Sequence, residues 1–231
     1  LRDHHSYSKL SVTDILVKSS NIGMAKIGER LTNEKLYDAT LTFGFGRPTG
    51  IDLPGELSGL LQPLHKWNIY STGSIPMGHE LAVTPLQLIT AHSALANGGR
   101  LITPRILKGV QGRGHDSAKT FQASLDEPGL AVAPKIVTQT VRPDIADWIV
   151  QEPMVAVVDR GTGRNAQLPG YSVFGKTGTA QKIDPATGKY SEELHTSSFL
   201  CGAPASDPRV LVLVVVDEPQ GDIYGGSVAA P

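Results

Sequence analysis

Two short stretches of this 231-residue chain hold residue types that can do chemistry, and both readings of the second turn on one lysine. Gly170-Tyr171-Ser172-Val173-Phe174-Gly175-Lys176-Thr177 satisfies the phosphate-loop pattern G-x-x-x-x-G-K-[ST] at every letter. Downstream, the apolar run Val210 to Val216 ends at Asp217-Glu218, as a strand with a magnesium-holding acid would. A phosphate loop, however, needs an apolar strand before its first glycine and a helix that begins at its Lys-Thr. Here Asn165-Ala166-Gln167-Leu168-Pro169 precedes it, and Gly178, Thr179 and soon Pro185 follow, which is poor helix material. The context argues against an ATPase.

The same residues read as Lys176-Thr177-Gly178-Thr179 on an edge strand. A K-T-G of this kind accompanies an S-x-x-K and an S-x-N in serine enzymes that open amides through an acyl intermediate. Ser19-Ser20-Asn21 supplies the S-x-N. An S-x-N alone is weak, because roughly one chance match is expected in a chain of this size. K-[ST]-G-[ST] arises by chance only in about one chain in fifty to one hundred. The two in this order mean more than either alone. The plainer alternative is that Ser19 to Asn21 caps a helix and Lys176 is a solvated strand residue. Other candidates are weaker. His79-Glu80 lacks the second histidine of an H-E-x-x-H, and Gly44-Phe45-Gly46 lacks the third glycine of a dinucleotide fingerprint. Asp52 and Glu56 form an acid pair that turn chemistry explains equally well. Arg160, next to Gly161-Thr162-Gly163, is expected to line the cleft.

The elements that must position these residues follow from caps and periodicity. Ser11 with Asp14 three residues later reads as a helix start, and the polar run Lys18 to Gly23 splits the helical pattern in two at the S-x-N. A helix is predicted over Asn33 to Phe43, then an irregular loop over Arg47 to Pro63. Another helix opens at Thr84-Pro85 and closes at Asn97-Gly98-Gly99. Arg105 to Val110 is predicted as a short strand, Gln111 to Glu127 as a polar mobile stretch, and Pro143 to Val158 as helical despite Pro153. Tyr171 to Phe174, Ser197 to Cys201 and Val210 to Val216 are β-rich, with turns at Asp184-Pro185 and Asp207-Pro208. Helices first and strands last favour an α+β fold over an alternating one.

Composition removes several classes. Lys+Arg total 21 against 22 Asp+Glu, a net charge of −1, without the basic excess that a phosphate-contacting surface needs. The longest apolar run, Val210 to Val216, reads as a buried strand and is too short to span a bilayer. Cys201 is the single cysteine, which excludes an intrachain disulfide and a multi-cysteine zinc site. Leu1-Arg2-Asp3 does not look like a native start, so a fragment is expected.

The flanking sequence adds a resemblance that runs nearly end to end. Leu10-Ser11-Val12 through Lys18-Ser19-Ser20-Asn21-Ile22-Gly23, Phe43-Gly44-Phe45-Gly46 with Thr49 to Glu56, and Thr84-Pro85-Leu86-Gln87-Leu88 through Asn97-Gly98-Gly99 carry it. So do Gly161-Thr162-Gly163, Pro169-Gly170-Tyr171, Gly175 to Gln181, Ser198-Phe199-Leu200 and Tyr224 to Pro231. Together they resemble the transpeptidase domain of class B penicillin-binding proteins, the bacterial D,D-transpeptidases that cross-link peptidoglycan. The resemblance implies an antiparallel sheet flanked by helices, with a helical lobe over about residues 10–100 and the sheet over about 101–231. It implies acyl transfer from a D-Ala-D-Ala stem peptide through a serine acyl-enzyme, β-lactam binding and no metal or organic cofactor. In that scheme Ser19 relays a proton to the leaving amine and Asn21 holds the base and the substrate backbone. Lys176 supplies positive potential, Thr177 and Thr179 bind the terminal carboxylate, and Gly178 lets the substrate approach. The nucleophile's S-x-x-K is expected upstream of Leu1, since Ser6-Tyr7-Ser8-Lys9 fits the letters but not the spacing, and the fragment alone is expected to be inert. The implied setting is the outer face of the cytoplasmic membrane, with a glycan polymerase and division or elongation proteins as partners. A β-lactam-hydrolysing relative, a non-catalytic β-lactam- or muropeptide-binding or scaffold domain, and the ATPase are the rivals.

Overall fold

A computed structural model describes residues 2–3, 5–110, 130–131 and 133–231. The polar stretch Gln111 to Glu127 lies outside the described residues. The chain begins with two short helices meeting at an elbow. Helix α1 (Val12–Lys18) starts at Ser11, whose hydroxyl accepts the Asp14 N–H at 3.0 Å. It stops at Ser19, which takes a left-handed conformation (φ 52°, ψ 46°). Helix α2 (Asn21–Gly28) begins at once, with Ser20 as its N-cap accepting the Gly23 N–H at 2.9 Å. Ser19, Ser20 and Asn21 are thus a C-cap, an N-cap and a first helical residue in succession, which is how three short polar residues end one helix and start another.

Helix α3 (Asn33–Thr42) follows behind Thr32, and the irregular segment expected from Arg47 ends at the two-residue strand β1 (Leu60–Leu61). Within the segment, the Glu56 carboxylate accepts the Thr49 and Gly50 N–H groups and the Thr49 hydroxyl, so turn chemistry accounts for that acid. The short helix α4 (Ser71–Ser74) and strand β2 (Leu81–Ala82), paired with β1, lead to helix α5 (Pro85–Ala96). There Thr84 and Gln87 form a reciprocal capping box, with proline in the first turn.

Beyond α5 the structure departs from expectation. Strand β3 (Arg100–Ile102) forms where none was predicted, and the strand expected over Arg105 to Val110 shrinks to β4 (Gly109–Val110), paired with β5 (Leu130–Ala131). The partner of β3 is the distant β6 (Ile136–Gln139), so three residues too short to show a period become a strand through long-range pairing. The predicted helix over Pro143 to Val158 is present as α6 (Pro143–Ile149), a π-helical turn at Val150–Met154 and α7 (Val155–Arg160). Pro153 has no N–H to give an α-helical bond, and the wider turn takes it in.

The C-terminal third is an antiparallel sheet in the order β7 (Phe174–Ile183), β8 (Tyr190–Ala203), β9 (Val210–Asp217), followed by the short helix α8 (Gly225–Val228). Strand β9 forms as expected but is not buried: Val210, Val212, Val214 and Val215 are exposed, because it is the far edge of the sheet among the described residues. The strand predicted over Tyr171 to Phe174 in fact begins at Phe174 and continues to Ile183. Its ladder with β8, Lys176 opposite Leu200 and Gly178 opposite Ser198, imposes strand geometry on a glycine- and threonine-rich stretch. One face buries Phe174 and Leu200 with Val150, Met154 and Ala205; Ile89 and Ala96 of α5 pack on that cluster. The other buries Phe199 with Val158, Val173, Ala229 and Ala230. Helix α1 packs on the π-helical turn and α7, and α5 packs on β9 and α6. The elbow is therefore brought up against the edge strand β7.

Candidate active site

Lys176 and Ser19 are 157 residues apart in sequence and meet directly: the Lys176 Nζ donates to the Ser19 Oγ at 2.8 Å and to the Thr177 carbonyl at 3.0 Å. Burial pushes the ammonium from its ordinary 10.5 down to about 8. Placing a serine in the left-handed region costs about 1 kcal/mol, and that conformation turns Ser19 out of the α1 axis at the elbow. Asn21 sits one position after the N-cap, at the first residue of α2. His92 of α5 lies close enough for the lysine's charge to act on it, although burial is the larger cause that lowers its pKa. Its Nδ1 is 2.9 Å from the Leu88 carbonyl, which can only accept, so the proton sits on Nδ1.

Side chains alternate along β7. Lys176 faces α1, and Thr177 and Thr179 face the opposite way. There the Thr177 Oγ1 lies 2.7 Å from the Thr162 Oγ1, and the Thr179 Oγ1 accepts the Gly225 N–H at 3.1 Å. The approach is tight. A Cβ on Gly225 would lie 2.4 Å from the Gly178 carbonyl oxygen, and one on Gly226 would lie 2.2 Å from that of Thr162. At Gly178 itself an added Cβ would meet the Ser198 Oγ at 2.5 Å, so the neighbouring strand already requires glycine there. Among the described residues, strand β7 is an edge of its sheet, with no strand paired along its outer side.

The chain matches the family model described as "Penicillin binding protein transpeptidase domain" over residues 2–231. The chain belongs to that family.

Among relatives of the transpeptidase domain, stage V sporulation protein D of Bacillus subtilis is 40% identical over 219 residues, covering 94% of this chain and 32% of that protein. Penicillin-binding protein PbpB of Mycolicibacterium smegmatis is 35% identical, covering 99% of this chain and 35% of its own length. The probable peptidoglycan D,D-transpeptidase PenA of Neisseria gonorrhoeae is 34% identical, covering 100% and 36%. The chain therefore spans about a third of the length of these relatives. The crystal structure of penicillin-binding protein 3 from Mycobacterium tuberculosis complexed with aztreonam superposes with a TM-score of 0.83 at 32% identity, over 100% of this chain and 51% of that one. The same protein complexed with ampicillin gives the same values.

The structure of this transpeptidase domain rules out the phosphate-loop alternative on geometry. Lys176 stands in the middle of a strand, with neither a strand before Gly170 nor a helix at Thr177. It also places Ser6 to Lys9 in a segment without helix, unlike the helix start that an S-x-x-K requires. Arg160, expected to line the cleft, pairs with Asp14 of α1 at 2.9 Å and so ties α7 to the helix that ends at Ser19.

Sequence reasoning missed two supporting residues. Asp3 accepts the Ser20 hydroxyl at 2.7 Å and the Ile22 N–H at 3.0 Å, which braces the elbow from outside. No local pattern marks an aspartate near the chain start as a helix cap so far ahead in sequence. Thr162 was visible only as the middle of a G-T-G.

Proposed function

We propose that this domain carries two of the three elements of a serine D,D-transpeptidase, which cross-links peptidoglycan stem peptides through an acyl-enzyme and takes up β-lactams at the same site. The observation that carries the reading is the 2.8 Å contact between the Lys176 ammonium and the Ser19 hydroxyl, which joins the S-x-N elbow to the K-T-G strand. A hydroxyl both donates and accepts, so Ser19 can pass a proton between a base and the leaving amine. Lys176 supplies the positive potential that favours deprotonated groups beside it, and Asn21 holds the base and the substrate backbone. Thr177 and Thr179 take the terminal carboxylate, and the Thr179 backbone N–H forms half of the oxyanion hole. The nucleophile and its lysine come from a part of the protein outside these 231 residues.

The division into a helical lobe over about 10–100 and a sheet region over about 101–231 goes with this reading, the elbow on one side of the cleft and β7 on the other. The setting proposed is the extracytoplasmic face of the cytoplasmic membrane, beside a glycan polymerase and division or elongation proteins. Among the described residues, no helix is long and apolar enough to cross a membrane.

The test is intact-mass analysis of the full-length protein after incubation with benzylpenicillin, with peptide mapping of the adduct. One adduct on a serine outside Leu1 to Pro231, formed far more slowly in Lys176→Ala, supports the reading. Folded protein that takes no adduct overturns it.

A further inference from the structure

We infer that Thr162, on the turn between α7 and the sheet, is a positioning residue that fixes the direction of the Thr177 hydroxyl proton; the inference rests on the transpeptidase reading. Two hydroxyls on the same face of β7 are each held by one partner from outside the strand. For Thr179 the partner is the Gly225 N–H, which can only donate, so the Thr179 oxygen accepts and its own proton remains available. For Thr177 the partner is the Thr162 hydroxyl at 2.7 Å, where either oxygen is able to donate.

The ligand decides between the two directions. A carboxylate only accepts, so a Thr177 that had given its proton to Thr162 would present two lone pairs to an anion and repel it. The arrangement competent for a carboxylate has Thr162 donating to Thr177, and the Thr177 proton then points at the ligand just as the Thr179 proton does. Two outside donors, one from the Gly161–Gly163 turn and one from the start of α8, thus aim two strand hydroxyls in concert.

The turn that carries Thr162 is held on three sides. The N–H groups of Gly161 and Gly163 both donate to the Val157 carbonyl, at 3.1 and 3.0 Å. A Cβ on Gly161 would lie 2.6 Å from the Val17 carbonyl oxygen of α1, one on Gly163 would lie 2.9 Å from the Phe199 ring, and the Thr162 carbonyl abuts Gly226. A threonine placed so rigidly can hold a neighbouring hydroxyl in one direction without itself touching the substrate.

The test compares acylation of the full-length protein by benzylpenicillin and by its methyl ester, which lacks the anionic carboxylate. Thr162→Val should slow acylation by the carboxylate form about tenfold to a hundredfold, the scale of a lost hydrogen bond to a charged group, and leave the ester rate unchanged. Thr162→Ser, which restores the hydroxyl, should recover the parent rate. If Thr162→Val does not fold, Thr162→Ala carries the same comparison. Equal slowing of both compounds, or no slowing of either, overturns the inference while leaving the function intact. A wild-type protein that takes up neither compound overturns the transpeptidase reading and this inference with it.

Discussion

The two sides of the proposed site are built on different principles. The strand side is over-determined: β7 is fixed by its ladder to β8, with Phe174 and Phe199 each 1% exposed beneath it and glycines at 175 and 202 admitting their rings. The elbow side rests on short helices of 7 and 8 residues, two caps, one left-handed serine and carboxylates from Asp3 and Asp14. Helices so short are marginal by themselves, so contacts from other elements must hold them. The Lys176-Ser19 bond joins a rigid wall to a braced one, and substitutions on the two sides should separate chemistry from stability in opposite ways.

The largest effect belongs to Lys176 on the strand side. Lys176→Ala in the full-length protein should cut the β-lactam acylation rate by about a hundredfold to a thousandfold, as removal of a preorganised electrostatic group does. Its thermal unfolding should not worsen, because a half-buried ammonium is removed from the protein. A variant that acylates at the parent rate would break the role given to the strand side.

The elbow gives the reverse combination. Ser19→Gly should lower acylation about a hundredfold by removing the relaying hydroxyl, yet melt no lower than the parent, since glycine relieves a left-handed strain of about 1 kcal/mol. Ser19→Val loses the hydroxyl as well and puts a β-branched side chain at φ 52°, so it should melt lower than Ser19→Gly. Equal melting of the two would show that the elbow conformation carries no strain.

A pH series sharpens the same contrast. The folded-state pKa of Lys176, about 8, lies below its ordinary 10.5, so the ammonium loses its proton as pH rises through 8. Acylation should then fall about tenfold for each pH unit well above 8. Stability should move the other way: between pH 8 and 10.5 the unfolded chain holds a proton that the folded one has released, so Lys176 contributes increasing stability with pH across that window. Lys176→Arg, which stays charged, should abolish the alkaline fall in rate. Retention of the fall in that variant would assign it to another group.

On the strand side a stability effect without a chemical one is expected. A Cβ on Gly175 would lie 2.7 Å from both the Leu200 carbonyl oxygen and the Phe199 ring. Gly175→Ala should cost about 1–3 kcal/mol by overpacking, read by denaturant unfolding. What acylation remains should keep its pH dependence, because Lys176 and its burial are unchanged in kind.

Which parts of this were legible in the sequence follows the same division. The helices announced themselves through local chemistry: Ser11 with Asp14, Thr84 with Pro85, and the polar Ser-Ser-Asn break between α1 and α2. The K-T-G was read as an edge strand from its motif, whereas residue preference pointed only to Tyr171 to Phe174, since Gly-Lys-Thr-Gly-Thr has little intrinsic strand preference and becomes β7 through its register with β8. Strand β3 was invisible for the same reason, its partner β6 being remote. At the site, Ser19 and Lys176 were picked out by motif, because the chemistry proposed for them demands particular functional groups, and the fold brings the two side chains into contact. The bracing was not, because Asp3 to Ser20, Asp14 to Arg160 and Thr162 to Thr177 are contacts between elements that no spacing rule connects.

The smallest effect tests how much of the elbow's bracing comes from outside it. Arg160 and Asp14 pair at 2.9 Å with side chains 50% and 33% exposed, and the Asp14 carboxyl is held below its ordinary range first by the Ser11 hydroxyl and then by Arg160. An ion pair this open to solvent is screened, and the arginine spends rotamer freedom to form it. The Ser11 cap, besides, survives without the arginine. Arg160→Ala should therefore change acylation by no more than about twofold, with the difference vanishing at high salt. A drop of tenfold or more, persisting in salt, would mean that α1 has no adequate support apart from α7 and that the elbow depends on a single surface arginine. The placement of α1 against the π-helical turn and α7, with Ile15 and Val17 buried along its inner face, argues for the smaller value. Packing sets where the elbow lies; the ion pair only trims it.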